Sequence, residues 1–423
     1  MDKEKFPTKK SSAKYTLPLN WSEKYIEFVY ENSEHIESVY GSLPGYPGGR
    51  PVPHTSGAEI EGINHKRLAY IIDRLKSKGI DFHFVYNMSC TGNVYLTKRS
   101  QEKFAREVNE LYDIGIREVI VSNFGLARII SKINPDIKIN MSVILNITEP
   151  DQLLYLKQQD FNCKGLVIGK GLTRNLPKLH NFIELSENMG LTTAVIANDF
   201  CPAPNCPERI SDHNNACAHK HLPFDSELGK QRYISPSTYC KKLVMNDPSL
   251  YLKAPIINPN DIEKYEDIGV KLIKLTDRVM PDEQLIAICR AYFNKEYDGN
   301  YFELFSYTSD FGKAKKGNKE LSKDEILNIL DKGYDELREH RSSFIYRPYA
   351  SAKALSNSKF MNLFKKGKCD NSCFHKTLNP KGCKHCSKHT ERFVTIDKDA
   401  AAIVAKNINY LIDCVTAFPK EAR

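Results

Sequence analysis

Residues 81–121 read DFHFVYNMSCTGNVYLTKRSQEKFAREVNELYDIGIREVIV, and their order decides the fold. The stretch opens with a short apolar run, Asp81–Tyr86, and closes with another, Glu118–Val121. Between them Ser100–Gly115 carries apolar residues at spacings of three and four and ends on a glycine, the pattern of an amphipathic helix with a left-handed cap. Two short strands joined by a helix form a βα unit, which calls for a parallel sheet.

Working outward, the same alternation recurs. Apolar runs at Ser38–Gly41, Lys138–Val143, Gly165–Ile168, Thr192–Ala197, Leu250–Ala254 and Leu272–Leu275 read as further strands, and His65–Gly79 as another helix. Eight strand–helix repeats over roughly 250 residues predict a closed TIM-type (β/α)8 barrel. An open doubly wound sheet is the competitor. It would show a glycine-rich phosphate turn after its first strand, whereas GSLPGYPGGRP (41–51) is too proline-rich to open a helix and reads as a mouth loop.

Around this barrel, residues 1–24 read as a loose lead-in, 25–295 as the barrel, and 296–423 as a cysteine-rich α or α+β extension with helices around Lys323–Arg338 and Asp399–Val415. The 423 residues are 41% hydrophobic, enough for a conventional core. No window approaches the ~18 uninterrupted apolar residues of a membrane span. Met1–Lys10 is charged rather than a secretory leader, so a cytoplasmic location is expected. The net charge of +9 comes from scattered lysines, which permits nucleic acid as a partner without requiring it and suits a polar or anionic substrate equally.

In a barrel of this kind, chemistry sits where strands hand over to loops at their C-terminal ends. Asn87, Asn123, Asn198, Asp199, Asp277 and Arg278 all follow apolar runs there. Asparagines in such places also cap helices, so it is their recurrence at one rim that points to substrate. Asp199 and Arg278 are catalytic candidates, and Asn87, Asn123, Asn198 and Asp277 are substrate-binding candidates.

The loop 198–240 holds four cysteines, Cys201, Cys206, Cys217 and Cys240, with gaps of four, ten and twenty-two residues. Thiols in a chain without a leader are expected to stay reduced and to bind metal. Zinc sites usually offer two close pairs, whereas spread thiolates suit the wider iron–sulfur cubane. Zinc and unligated thiols stay open on spacing alone. Arg209 and His213, which lie between these cysteines, are the other two catalytic candidates and could hold an anionic substrate beside the metal. A second set, Cys369, Cys373, Cys383 and Cys386 (369–386), has gaps of three, nine and two and is closer to a zinc pattern; zinc or a second cluster is expected, with His375, His385 and His389 as substitute ligands. Neither set has the C-x3-C-x2-C triplet of radical S-adenosylmethionine enzymes. Cys163, Cys289 and Cys414 read as core residues, and Cys90 as a rim thiol without an identified base.

Three segments resemble the collagenase-like peptidases of unassigned mechanism, a family that includes the anaerobic ubiquinone, tRNA and rRNA hydroxylation proteins. They are AVIANDFCPAPNCPERIS (194–211), YLKAPIINPNDIEKYEDIGVKLIKLTDR (251–278) and MPDEQLIAICRAYFNK (280–295). The resemblance covers roughly Ile36–Lys295. It implies a TIM-type barrel with a 4Fe-4S cluster on Cys201, Cys206, Cys217 and Cys240. Oxygen-independent hydroxylation is also implied, with prephenate as oxygen donor in the better-understood branches, and a homologous partner chain is an open question. The first cysteine gap is shorter than in the usual signature, and KLTDR stands where common members carry an acidic-Gly-Arg ending. Two other readings remain: a peptidase with structural metal sites, and a zinc-containing nucleic-acid-binding protein.

Overall fold

The computed structural model describes residues 12–43, 46, 63–87, 97–202, 236–276, 278, 280–305, 319–332, 336, 340–369 and 383–416. Eight parallel strands close into a barrel in chain order: β1 (Lys14–Pro18), β2 (Ile36–Gly41), β3 (Asp81–Tyr86), β4 (Glu118–Val121), β5 (Lys138–Met141), β6 (Cys163–Val167), β7 (Thr192–Ile196) and β8 (Leu272–Lys274). β1 completes the ring by pairing with both β2 and β8. The fold is therefore the TIM-type barrel that the βα alternation predicts.

Seven of the eight expected strands coincide with observed ones, and the eighth is corrected. Leu250–Ala254 is not a strand: Ser249–Lys253 forms a short helix with every residue buried. A five-residue apolar run buried on all sides has no period that separates strand from helix. The strand missing from the reading is β1, which lies inside the supposed lead-in. KYTLP follows charged, serine-rich sequence, yet four of its five residues are buried. The cysteine loop consequently follows the seventh strand, not the sixth.

The barrel helices are α1 (Glu23–Glu31), α2 (His65–Lys76), α3 (Lys98–Asp113), α4 (Phe124–Ile133), α5 (Pro150–Lys157) and α6 (Leu176–Asn188). Between β7 and β8 lie α7 (Pro236–Asn246), α8 (Ser249–Lys253) and α9 (Ile262–Glu266), and α10 (Asp282–Phe293) follows β8. Asn64 and Asn123 cap α2 and α4 by accepting from the backbone N–H groups of Arg67 and Leu126, so orphan donors at those helix starts are satisfied. Gly79 and Gly115 end the turns after α2 and α3 at φ of 71° and 105°, a region costly for residues with a Cβ.

Strand side chains alternate between two environments. Phe82, Phe84 and Tyr86 join the large core between barrel and helices, whereas Val85 meets Tyr40 and Ile120 in a separate interior cluster. Beside that cluster the interior is polar: Thr16, His83, Asn140, Lys164 and Lys274 line a small cavity of about 30 Å3.

The C-terminal residues are joined to the barrel through one hydrophobic cluster. Tyr301, Phe302, Leu355, Phe360, Phe364 and Cys386 belong to the same core as Leu17 and Phe84. Further on, α11 (Lys323–Lys332) packs against α15 (Lys398–Thr416), around Leu321, Ile326, Ile329 and Leu411. The short helices α12 (Ala352–Ser356) and α13 (Asn362–Lys365) precede α14 (His385–Phe393). α15 also packs on α7, and α14 on α8.

Candidate functional site

The C-terminal mouth of the barrel is built by the ends of β2, β6, β7 and β8. Ala197 continues the ladder past β7 by donating its N–H to the Lys274 carbonyl at 3.0 Å. The next residue, Asn198, is fully buried; its Nδ2 donates to the Thr276 carbonyl at 2.5 Å, and its Oδ1 accepts from the Thr276 N–H at 2.7 Å. This side chain extends sheet pairing one step beyond the strands. Asp199 is ion-paired with Lys170, a 3% exposed lysine in the turn after β6 that also donates to the Asp199 carbonyl at 3.3 Å. Phe200 then stacks on Phe305 at 5.6 Å between ring centroids, and Cys201 follows, half-buried.

The neighbouring strand, β8, delivers Lys274 to the interior. Its Nζ lies 3.6 Å from the centre of the Tyr40 ring, and Tyr40 is fixed by donating its hydroxyl to the Leu275 carbonyl at 2.9 Å. Burial pushes the Lys274 amine down to about 7, with nearby Arg278 adding to the effect and Asp199 opposing it. The Tyr40 ring face also favours the cationic form. Arg278 is buried and donates from one guanidinium nitrogen to Ser42 Oγ at 3.2 Å. The mouth thus combines one neutralised lysine–carboxylate pair with two buried basic groups, an arrangement able to bind an anionic or carbonyl-bearing ligand.

The structure brings Asn198, Asp199 and Arg278 of the expected residues to this mouth, with Cys201 beside them. Asn87 follows β3 and its half-buried side chain has an Oδ1 with no hydrogen-bond partner. Asn123 is used as the cap of α4, the structural role that a rim asparagine can always have. Cys240 lies half-buried on α7. Cys206, Arg209, His213, Cys217 and Asp277 lie outside the described residues.

In the second cysteine set Cys369 is half-buried, Cys383 exposed and Cys386 buried in the first turn of α14, while Cys373 and His375 lie outside the described residues. His385 spends Nε2 on the Phe360 carbonyl at 2.7 Å, which leaves only Nδ1 for a metal. His389 stacks 10° from parallel with Phe393, and burial together with His385 holds it below the usual histidine range.

Sequence reasoning missed Lys170, Lys274, Tyr40 and Ser42 at the mouth. It also missed a second polar cluster at the opposite, N-terminal end of the barrel. There Glu118 meets His83 at 3.1 Å, Lys164 at 2.5 Å and the Asn140 amide at 2.9 Å. The available signal was a charged or polar residue inside a short apolar run: the histidine of DFHFVY, the lysine of LIKL and the lysine of VIGKG. Buried lysines are rare unless they are paired or functional.

Comparison with known proteins supports the resemblance. Residues 58–176, which span β3 to β6, match the sequence profile of Peptidase family U32. A protein of Methanocaldococcus jannaschii described as an uncharacterized protease is 25% identical over 270 residues, 63% of this chain and 74% of that protein. A solved U32 peptidase aligns over 64% of this chain and 96% of its own, with 11% identity and a TM-score of 0.44. No helix among the described residues is long and apolar enough to cross a membrane. The profile match places the similarity to the U32 peptidases, the collagenase-like family, in residues 58–176, ahead of the cysteine loop and the late barrel segments.

Proposed function

We propose that this chain is an iron–sulfur enzyme acting on a polar or anionic substrate at the C-terminal mouth of its barrel. The observation that carries the reading is the adjacency of Cys201 to Asn198, Asp199 and Phe200 on the segment leaving β7, with Arg278 buried on the neighbouring strand end. A metal ligand on that segment would lie beside groups suited to hold substrate. The donor set fits a cubane in its chemistry: four thiols, Cys201, Cys206, Cys217 and Cys240, lie on one connection between consecutive barrel strands. A cluster there would supply electron transfer or electrostatic activation. The chain's own residues bind and orient: Arg278 offers forked donors to a carboxylate, Asn198 fixes the strand ends, and Lys170 pairs with Asp199. Oxygen-independent hydroxylation of a small molecule, peptide or RNA is the activity that the family resemblance suggests.

Anaerobic purification followed by visible absorption, iron and acid-labile sulfide analysis tests this reading. Iron and sulfide in the wild type, lost in the Cys206→Ser and Cys217→Ser variants, are expected; zinc without labile sulfide would sink it. Peptide hydrolysis is the second reading, favoured by the description of the Methanocaldococcus jannaschii relative as a protease. Cleavage of peptides that survives both serine substitutions would decide for it.

A further inference from the structure

We propose that Lys274 is an imine-forming lysine that takes small oxo carboxylates, with Arg278 holding the carboxylate. The proposal rests on the reading of the mouth as the substrate site, and is independent of any cluster.

Three observations lead to it. First, Lys274 ends β8 with its amine inside the barrel over the Tyr40 ring, within electrostatic reach of the mouth residues Asp199 and Arg278. Second, it differs from the other buried lysines. Lys170 and Lys253 sit on the carboxylates of Asp199 and Asp247, whereas the Lys274 amine meets the face of Tyr40. A structural lysine in a core is expected to be paired, and this one is held instead by an aromatic ring. Third, Arg278 lies four residues further on, 7% exposed, with its guanidinium fixed toward Ser42. Desolvation and a neighbouring cation are the two ways a lysine is made neutral enough to attack a carbonyl, and Lys274 has both. Its amine, pushed down to about 7, would be largely unprotonated in mildly alkaline solution.

In the step itself the Lys274 nitrogen lone pair adds to the carbonyl carbon. One proton passes from nitrogen to the former carbonyl oxygen, giving a carbinolamine. The hydroxyl then leaves with the second nitrogen proton, so that amine and carbonyl yield imine and one water. No oxidant or reductant is consumed. Arg278 selects for a carboxylate next to the carbonyl because its planar fork matches two carboxylate oxygens.

The test uses the full chain, pyruvate as probe, acetone as the probe lacking a carboxylate, and cyanoborohydride to trap the imine. Peptide mass spectrometry is expected to find N-(1-carboxyethyl)lysine at Lys274, saturably, with acetone trapped about tenfold less and Arg278→Met lowering the pyruvate yield about tenfold. Lys274→Met and Lys274→Arg, each checked for an unchanged circular dichroism spectrum, should lose the adduct. A parallel measurement follows acylation of Lys274 by acetic anhydride with and without pyruvate. Adducts confined to exposed lysines, with pyruvate still shielding Lys274, overturn imine formation while keeping the mouth as a binding site. Neither adduct nor shielding overturns both. An adduct at Lys274 in protein free of iron and sulfide supports the imine even if the cluster reading fails.

Discussion

Asn198 and Thr276 exchange two hydrogen bonds, at 2.5 and 2.7 Å, across the ends of β7 and β8, so one buried side chain completes the sheet where the two strands part. Asn198→Ala would leave the N–H and carbonyl of half-buried Thr276 without these partners, at up to about 1–3 kcal/mol for each group that water does not reach. Asn198→Asp keeps the acceptor but removes the donor and buries a charge. Both variants should lower the urea midpoint, the aspartate more at neutral pH than at pH 4. An alanine variant as stable as the wild type would show that the clamp is dispensable.

The Glu118 cluster predicts a pH dependence of folding. Burial alone would raise this carboxyl, but the hydrogen bonds and charges of His83 and Lys164 outweigh it and hold Glu118 at about 2, against an ordinary 4.5. A depressed carboxylate contributes stability that is fully present above pH 4.5 and is lost as pH falls through about 2. Glu118→Gln should therefore destabilise at neutral pH by about 3–5 kcal/mol, the cost of stranding a buried partner charge, and flatten the acid limb of stability between those pH values. Chemical denaturation at several pH values checks both parts, and an unchanged acid limb would assign that limb to other groups.

How far these features were legible in the sequence depends on how each residue is used. Strands such as Asp81–Tyr86 were readable because a short apolar run next to a glycine-ended amphipathic helix has few other structures open to it. β1 was hidden by the charged and serine-rich residues before it, and Leu250–Ala254 misled because a short run buried on all sides carries no period. Asn198, Asp199 and Arg278 could be named from their position after strands. Lys274 could not, because its significance lies in meeting Tyr40, which is 234 positions away in sequence and two strands away around the ring. The same holds for Glu118 and Lys164: pairing across strands sets their state, and one strand's sequence does not display it.

Thiol reactivity should separate core cysteines from candidate ligands. Burial pushes Cys163 up to about 11 and Cys289 to about 12, so at pH 8 fewer than roughly one in a thousand of either is thiolate. Iodoacetamide on native protein at pH 8 should leave both unmodified, while exposed Cys383 reacts after chelation and is protected when metal is restored. Labelling of Cys383 at the same rate with and without metal would remove it from the second ligand set.

Arg174 ties the C-terminal residues to the barrel mouth, and its loss should release them. It follows β6, is 4% exposed, and donates to the carbonyls of Leu252 and Ile256, the latter at 3.4 Å, while the rings of Phe360 and Phe364 lie 5.2 and 5.0 Å from its guanidinium carbon. The adjacent Asn175 donates to the carbonyls of Gly367 at 3.4 Å and Cys369 at 3.2 Å, so two consecutive residues hold the segment that carries the second cysteine set. Hydrogen bonds to a charged donor are worth about 1.5–3 kcal/mol each, and a planar fork shared among two carbonyls and two aromatic faces is not replaced by an ammonium. Arg174→Ala should cost about 3 kcal/mol or more, and Arg174→Lys should recover only part of it. Because these contacts bridge the barrel to residues beyond 350, both variants should expose the C-terminal region to limited proteolysis before the barrel itself unfolds. Simultaneous loss of both regions, followed by hydrogen exchange in the strands and in α14, would instead mean that barrel and C-terminal residues unfold as one cooperative unit.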